Sequence, residues 1–116
     1  MSSKKQALFE QMKQLWEILV PTVYNSGKSV RTRHHKEWDK VVRSISGGLT
    51  IFAPVKGQWI CNSTGRLFCE RMIPVRIACT EKQIAKIAKF SIKHYKQLAI
   101  IVYRISDKVT IFENKN

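Results

Sequence analysis

The chain has 116 residues, 44% of them apolar and 25% charged, which suffices for one hydrophobic core but not two and excludes a disordered, collagen-like or low-complexity chain. Its 21 Lys and Arg against 8 Asp and Glu leave a net charge of +13, beyond the roughly 2–8 units that keep a small domain soluble. An excess that opposes folding by self-repulsion points to an anionic partner.

In chain order, Leu8, Met12, Leu15 and Leu19 fall at i, i+4, i+7 and i+11, so residues 3–15 read as a helix capped by Ser2 or Ser3. From about Trp16 the composition turns β-rich, and a strand is expected over 16–24, ended by the turn cluster Asn25-Ser26-Gly27-Lys28. Residues 32–45 carry an apolar stripe of His34, Trp38, Val41, Val42 and Ile45, which predicts a core helix. Gly47 and Gly48 supply its stop. Leu49 to Ala53 reads as a strand closed by Pro54. Residues 58–61 and 66–69 read as a hairpin across Asn62 to Gly65, the second arm running on to Cys79. Pro74 within that arm predicts an edge position or a bulge.

Thr80-Glu81-Lys82-Gln83 has the form of a capping box. The helix it opens is expected to run to about Lys96 and to bury Ile84, Ile87, Ala88, Ser91 and Tyr95. Residues 98–103 and 108–112 close the chain as strands. The order is a helix followed by β-α-β-β(β)-α-β-β, which predicts an α+β fold: a ferredoxin-like, split β-α-β sandwich with two core helices on an antiparallel sheet. Residues 1–15 would form a helical extension and 16–113 the single domain. The extension's apolar stripe favours a homodimer.

The three cysteines, Cys61, Cys69 and Cys79, are odd in number and form no CxxC motif. Neither a disulfide framework nor a metal site is expected. The basic start is followed by Gln6 to Gln11, which breaks any signal-peptide core. The longest apolar run is far shorter than the ~20 residues that span a bilayer. The expectation is a cytoplasmic protein with no membrane partner and no cofactor.

Lys82, Lys86, Lys89, Lys93 and Lys96 are spaced 4, 3, 4 and 3 apart, which puts five like charges on one helical face. A solvated face usually mixes signs, because like charges at i, i+4 destabilise a helix; an anion-facing role competes evenly with simple solvation. Arg31, Arg33, His34 and Lys36 gather at the start of the first core helix, where free N–H groups suit a phosphate. Trp59 is available to stack on a base with Arg71 or Lys56 on phosphate, although an isolated strand tryptophan is more often core. Asn25 to Ser29 mimics a P-loop but lacks its first glycine, Thr22 standing there. No HExxH motif or nucleophile elbow is present. His34 or His35 with Glu70 is the one acid–base pairing to weigh, and nothing in the spacing demands it.

The run Trp38…Gly47-Gly48-Leu49-Thr50…Gly57-Gln58-Trp59…Gly65…Glu70-Arg71, closing with Tyr95-x-Gln97, resembles a family of small uncharacterised phage and bacterial proteins. The resemblance covers roughly 16–113 and implies a compact α/β sandwich of phage or mobile-element origin, with no settled activity. By analogy with small phage accessory proteins, it suggests anti-defence sequestration of a nucleotide-derived immune signal. The reading favoured on sequence is therefore a non-catalytic protein that captures a small phosphate-bearing ligand, a nucleotide or cyclic oligonucleotide. Its expected ligand-binding residues are Arg31, Arg33, His34, Lys36, Trp59, Arg71 and Tyr95, with no catalytic set. The alternatives are a single-stranded nucleic-acid-binding module, a phosphodiesterase acting on cyclic nucleotides, and an inhibitor that docks on an acidic host surface.

Overall fold

The structure, a computed structural model, describes residues 13–114. Its elements are β1 (Gln14–Pro21), α1 (Thr32–Ser46), β2 (Thr50–Ile51), β3 (Val55–Ile60), β4 (Leu67–Cys79), α2 (Glu81–His94) and β5 (Val102–Ser106). Every strand pairing is antiparallel, with β5, β1 and β4 side by side and β2 and β3 both lying along the far edge of β4. This is a β-α-β-β-α-β order with one edge strand broken in two. The ferredoxin-like α+β fold expected from the element order is the fold observed.

Alternation along the strands decides where the core sits. Trp16, Ile18 and Val20 of β1 and Val75, Ile77 and Cys79 of β4 point to one face, where they meet Trp38 and Val42 of α1 and Ile84 and Ile87 of α2. Each fully buried aliphatic side chain contributes roughly 1.5–3 kcal/mol by leaving water. Trp38 is buried whole because its indole N–H donates to Ser91 Oγ at 2.8 Å, and Ser91 donates onward to the Ile87 carbonyl. Val41, Ile45 and Ala88, expected in the core, are half-buried at the seams.

The helix ends are those the sequence announces. Gly47 takes φ +90° and donates its N–H to the Arg43 carbonyl, closing α1. Thr80 and Gln83 form the reciprocal capping box of α2. Gln83 also donates to the Ile45 carbonyl, while His34 lies against His94 at the opposite end. The two helices therefore run antiparallel.

Several expectations need correction. Of the helix read over 3–15, residues 3–12 lie outside the described residues, and Gln14 and Leu15 are already strand, paired with Cys79 and Ala78. Pro74 is not at an edge, since β4 is the central strand and its register with β1 is unbroken; the irregularity expected there lies on its other flank, where Ile51 pairs with Val75 and Val55 with Met72, so that three edge residues stand opposite two of β4. The Pro74 nitrogen faces Phe52, where it cannot return the second bond of the pair, and the β2 ladder stops there. Its carbonyl there accepts from the Phe52 N–H. The strand read over 49–53 shrinks to Thr50–Ile51 for the same reason.

α2 stops at His94, with Tyr95 as its C-cap. Lys96, at φ +53°, turns the chain away from the helix axis. The strand read over 98–103 begins only at Val102. Leu19 N–H reaches the Ile101 carbonyl at 3.2 Å, but Pro21, two residues on along the same side of β1, has no N–H for a further rung. Residues 108–112 form no strand and touch the main chain of Lys13 through the Val109 N–H.

Beyond Met72, β3 and β4 continue as a two-stranded arm. Gly65 (φ +71°) closes its tip, helped by the Cys61 N–H to the Arg66 carbonyl. The arm carries exposed apolar side chains, Ile60 at 65% and Leu67 at 56%. No helix among the described residues is long and apolar enough to cross a membrane.

Candidate functional site

Three gatherings of functional side chains stand out. The first ties the helices together. His34 and His94 stack with ring centroids 3.7 Å apart and planes 7° from parallel. Their Nε2 atoms lie 2.6 and 2.8 Å from each other's backbone carbonyl oxygens. Carbonyls only accept, so both rings carry the proton on Nε2. Tyr95, fully buried between the helices, hydrogen-bonds through its hydroxyl to His35 Nδ1 at 2.7 Å. Burial pushes the Tyr95 phenol far above its ordinary range, with Asp39 and Tyr24 adding to it. Burial also lowers the pKa of His35, against the pull of Asp39. His34, His94 and Glu37 bring their ligand-type atoms within 4.8 Å of one another. They suit a metal poorly, because stacked parallel imidazoles aim their lone pairs along parallel planes and a shared ion would sit well out of both.

The second gathering is a basic cleft of about 350 Å³ lined by Tyr24, Lys28, Ser29, Arg31, Arg33, His34 and Glu37. The turn at residues 24–28, held by Tyr24 N–H to the Lys28 carbonyl and by Gly27 at φ +86°, sets Lys28 against the start of α1. Arg31, the N-cap, has no side-chain cap bond, and the first turn holds no acid. Arg33 is partly offset by Glu37 at 3.7 Å. This cleft unites Arg31, Arg33 and His34 as the sequence suggested. Lys36, one turn on, is exposed and lies outside it.

The third lies on the sheet face away from the helices. Directly paired residues share a face, so Gly57 and Trp59 of β3 lie with Glu70 and Phe68 of β4. A Cβ on Gly57 would come within 2.8 Å of the Trp59 indole, so glycine is what lets the ring lie flat on its own strand. The indole walls a cavity of about 200 Å³ completed by Leu19, Pro21, Glu70, Met72, Gln97 and residues 99–101. Glu70 is its one charged residue.

Trp59 and Arg71, paired on sequence as base and phosphate partners, point to opposite faces. Arg71 instead lines an open hollow of about 470 Å³ with Pro54, Lys56, Cys69 and Glu70. The buried ring of Tyr95 reaches neither the cleft nor the Trp59 cavity and acts on His35. Glu70 is on the far side of the sheet from His34 and His35, which removes the acid–base pairing. Sequence reasoning missed Glu70 as Trp59's neighbour, together with Leu19, Met72 and Gln97. The available signal was that Gly57 and Trp59, and likewise Glu70 and Met72, are two apart and so share a face once the strands are paired.

No protein-family model matches the chain, and no curated protein matches it in sequence. Solved structures do match in fold. A phage SAM lyase in complex with S-methyl-5'-thioadenosine is similar with a TM-score of 0.64 at 14% identity, over 84% of each chain. The divalent cation tolerance protein CutA1 of Thermus thermophilus follows at 0.59 and 11% identity, over 81% of this chain and 84% of that one. CutA1 from a psychrotrophic Shewanella gives 0.59 and 11%, over 87% and 85%. At these identities the likeness is one of ferredoxin-like fold.

Proposed function

We propose that the protein binds S-adenosylmethionine in the Trp59–Glu70 cavity and cleaves it to S-methyl-5'-thioadenosine. The observation that carries this reading is the Trp59 indole, laid flat over Gly57 beside a single carboxylate in an apolar cavity. Such a wall suits an adenine ring, and a lone anion, Glu70, suits a ligand bearing positive charge rather than phosphate. A sulfonium ligand meets both demands. The fold neighbour that is a SAM lyase with a thioadenosine bound supports the choice.

The chemistry asks little of the protein. The sulfonium is its own leaving group and departs as the neutral thioether. The substrate's carboxylate attacks the γ-carbon as the C–S bond breaks, leaving a five-membered lactone, with no water consumed and no proton abstracted. The work left to the chain is to hold carboxylate and γ-carbon in line, which is where positioning contributes most. Glu70 would pair with the ligand's positive charge, and Leu19, Met72 and Ile101 would exclude water.

At about 200 Å³ the cavity is smaller than the roughly 300–1,000 Å³ of ordinary ligand sites, so a nucleoside would extend along the arm. We infer that a second copy of the chain covers that flank, because an isolated two-stranded arm is marginal in water and this one exposes Ile60 and Leu67. Mixing the protein with S-adenosylmethionine and following S-methyl-5'-thioadenosine by chromatography tests the reading. Product accumulation supports it; unchanged substrate refutes it.

A second reading, capture of a phosphate-bearing nucleotide signal without chemistry, is favoured by one observation. The basic cleft sets Lys28, Arg31, Arg33 and His34 around the uncapped start of α1. It fits a phage-type sequestering protein, and calorimetry with a cyclic dinucleotide and with ADP-ribose distinguishes it from cleavage.

A further inference from the structure

We propose that the outer face of the two helices is a sequence-independent docking surface for the phosphate backbone of a nucleic-acid duplex. Lys82, Lys86, Lys89 and Lys93 are all exposed on α2, and Lys36 and Lys40 are exposed on α1 beside it. None of the six has an ion-pair partner among the described residues. The acids that are paired serve other sites: Glu17 holds Arg76 on the open sheet face, Asp107 holds Arg104, and Glu37 holds Arg33. Six lysines without ion-pair partners among the described residues thus share the outer, helical layer of the sandwich.

That arrangement works against the helix itself. Lys82 and Lys86, and Lys89 and Lys93, are like charges at i, i+4, and Lys82 opposes the macrodipole in the first turn. The register also fits a polyanion. Eleven residues separate Lys82 from Lys93, about 16 Å of helix at 1.5 Å per residue, close to the rise of about five phosphates along one duplex strand at roughly 3.4 Å each.

The chemistry of the face selects among anionic partners. Protein interfaces have apolar or aromatic anchors at their centre and are depleted in lysine, whereas Ile84 and Ile87 of α2 are turned inward and buried and the exposed apolar residue between these lysines is the small Ala85. A membrane-surface helix needs an apolar face to insert, and α2 spends its own on the core. A single strand would need exposed aromatic platforms, and Phe90, the aromatic of α2, packs on His94. A duplex backbone asks only for spaced cations. This surface lies on the opposite side of the sheet from Trp59, so it stands or falls apart from the cavity.

Fluorescence anisotropy of the full chain with a 24-base-pair DNA duplex of arbitrary sequence, from 50 to 200 mM salt, tests the proposal. Four phosphate contacts predict a slope of log affinity against log salt of about −3.6, an affinity loss of about 150-fold over that range. The variant Lys82→Gln, Lys86→Gln, Lys89→Gln, Lys93→Gln should bind at least ten-fold more weakly at 50 mM salt, with a slope shallower by about 3.6. A control that removes the same charge elsewhere, Lys56→Gln, Arg66→Gln, Arg104→Gln, Lys108→Gln, should keep the wild-type slope. Circular dichroism of both variants checks that they fold, as expected because exposed lysines contribute nothing to the core. Equal loss in both variants, no duplex binding by the wild type at 50 mM salt, or binding to phosphatidylserine vesicles in preference to duplex would each overturn it.

Discussion

The basic cleft and the Trp59–Glu70 cavity are opposites in how the chain builds them. The cleft draws on residues between Tyr24 and Glu37, joined by one turn and one helix start, and it is lined by cations. The cavity draws on Leu19, Trp59, Glu70 and Ile101, brought together by two strand registers and the loop after α2, and it is apolar around one acid. Net charge draws attention to the first. The proposed function rests on the second, whose indole wall lies over its own strand in space that a side chain at Gly57 would fill.

Substitutions separate the two. The largest effect is expected from Trp59→Ala. Stacking of a base on an aromatic ring is worth about 1–3 kcal/mol, so affinity for S-methyl-5'-thioadenosine should fall roughly 5–150-fold, while Arg33→Ala changes it less than two-fold. Calorimetric titration measures both, and equal losses would erase the distinction between the sites. A smaller loss, about ten-fold by the same scale, is expected from Gly57→Ala. Its new methyl would meet the indole at 2.8 Å and lift the ring from its strand, which quenching of tryptophan fluorescence by iodide should register as greater accessibility.

Lowering the pH probes the helix end that backs the cleft. Burial holds the pKa of His35 below 6.5 in the fold. As the pH falls through 6.5 the unfolded chain takes up that proton first, so stability declines until the folded His35 also titrates. Tyr95 sets the opposite limit, because its raised pKa makes the unfolded phenol ionise first above about pH 10. Thermal melts from pH 8 to 5 should therefore shift downward below pH 6.5, and His35→Gln should flatten that slope. The smallest effect concerns thiols. Hydrogen bonds from Ser63 and Thr64 bring Cys61 at the arm tip down to about 6, while burial lifts Cys79 to about 11. At pH 7 iodoacetamide should label Cys61 well before Cys79, as peptide mass mapping would show, with stability unchanged by the label.

Features that depend on near neighbours are legible in the sequence. The capping box at Thr80 and Gln83, the Gly47 stop and the stripe that buries Trp38 and Val42 involve residues at most a few turns apart. The place of Pro74 is not, because alternation does not reveal which flank of a strand a nitrogen faces, and that depends on where β2 ends. Tyr95 reads as a ligand aromatic only while its hydroxyl partner, His35, sixty residues away, is out of view. Charge matches Trp59 to Arg71, whereas strand register makes Glu70 its neighbour.

The most direct test is turnover of S-adenosylmethionine by the wild type, Glu70→Gln and Arg33→Ala measured side by side. We predict S-methyl-5'-thioadenosine from the wild type and from Arg33→Ala at similar rates, and, at substrate well below saturation, a loss of roughly ten-fold or more in Glu70→Gln through weaker substrate binding, the scale of one lost contact to a charged group. No turnover by the wild type, or equal rates in the wild type and Glu70→Gln, would contradict the assignment of the cavity as the site.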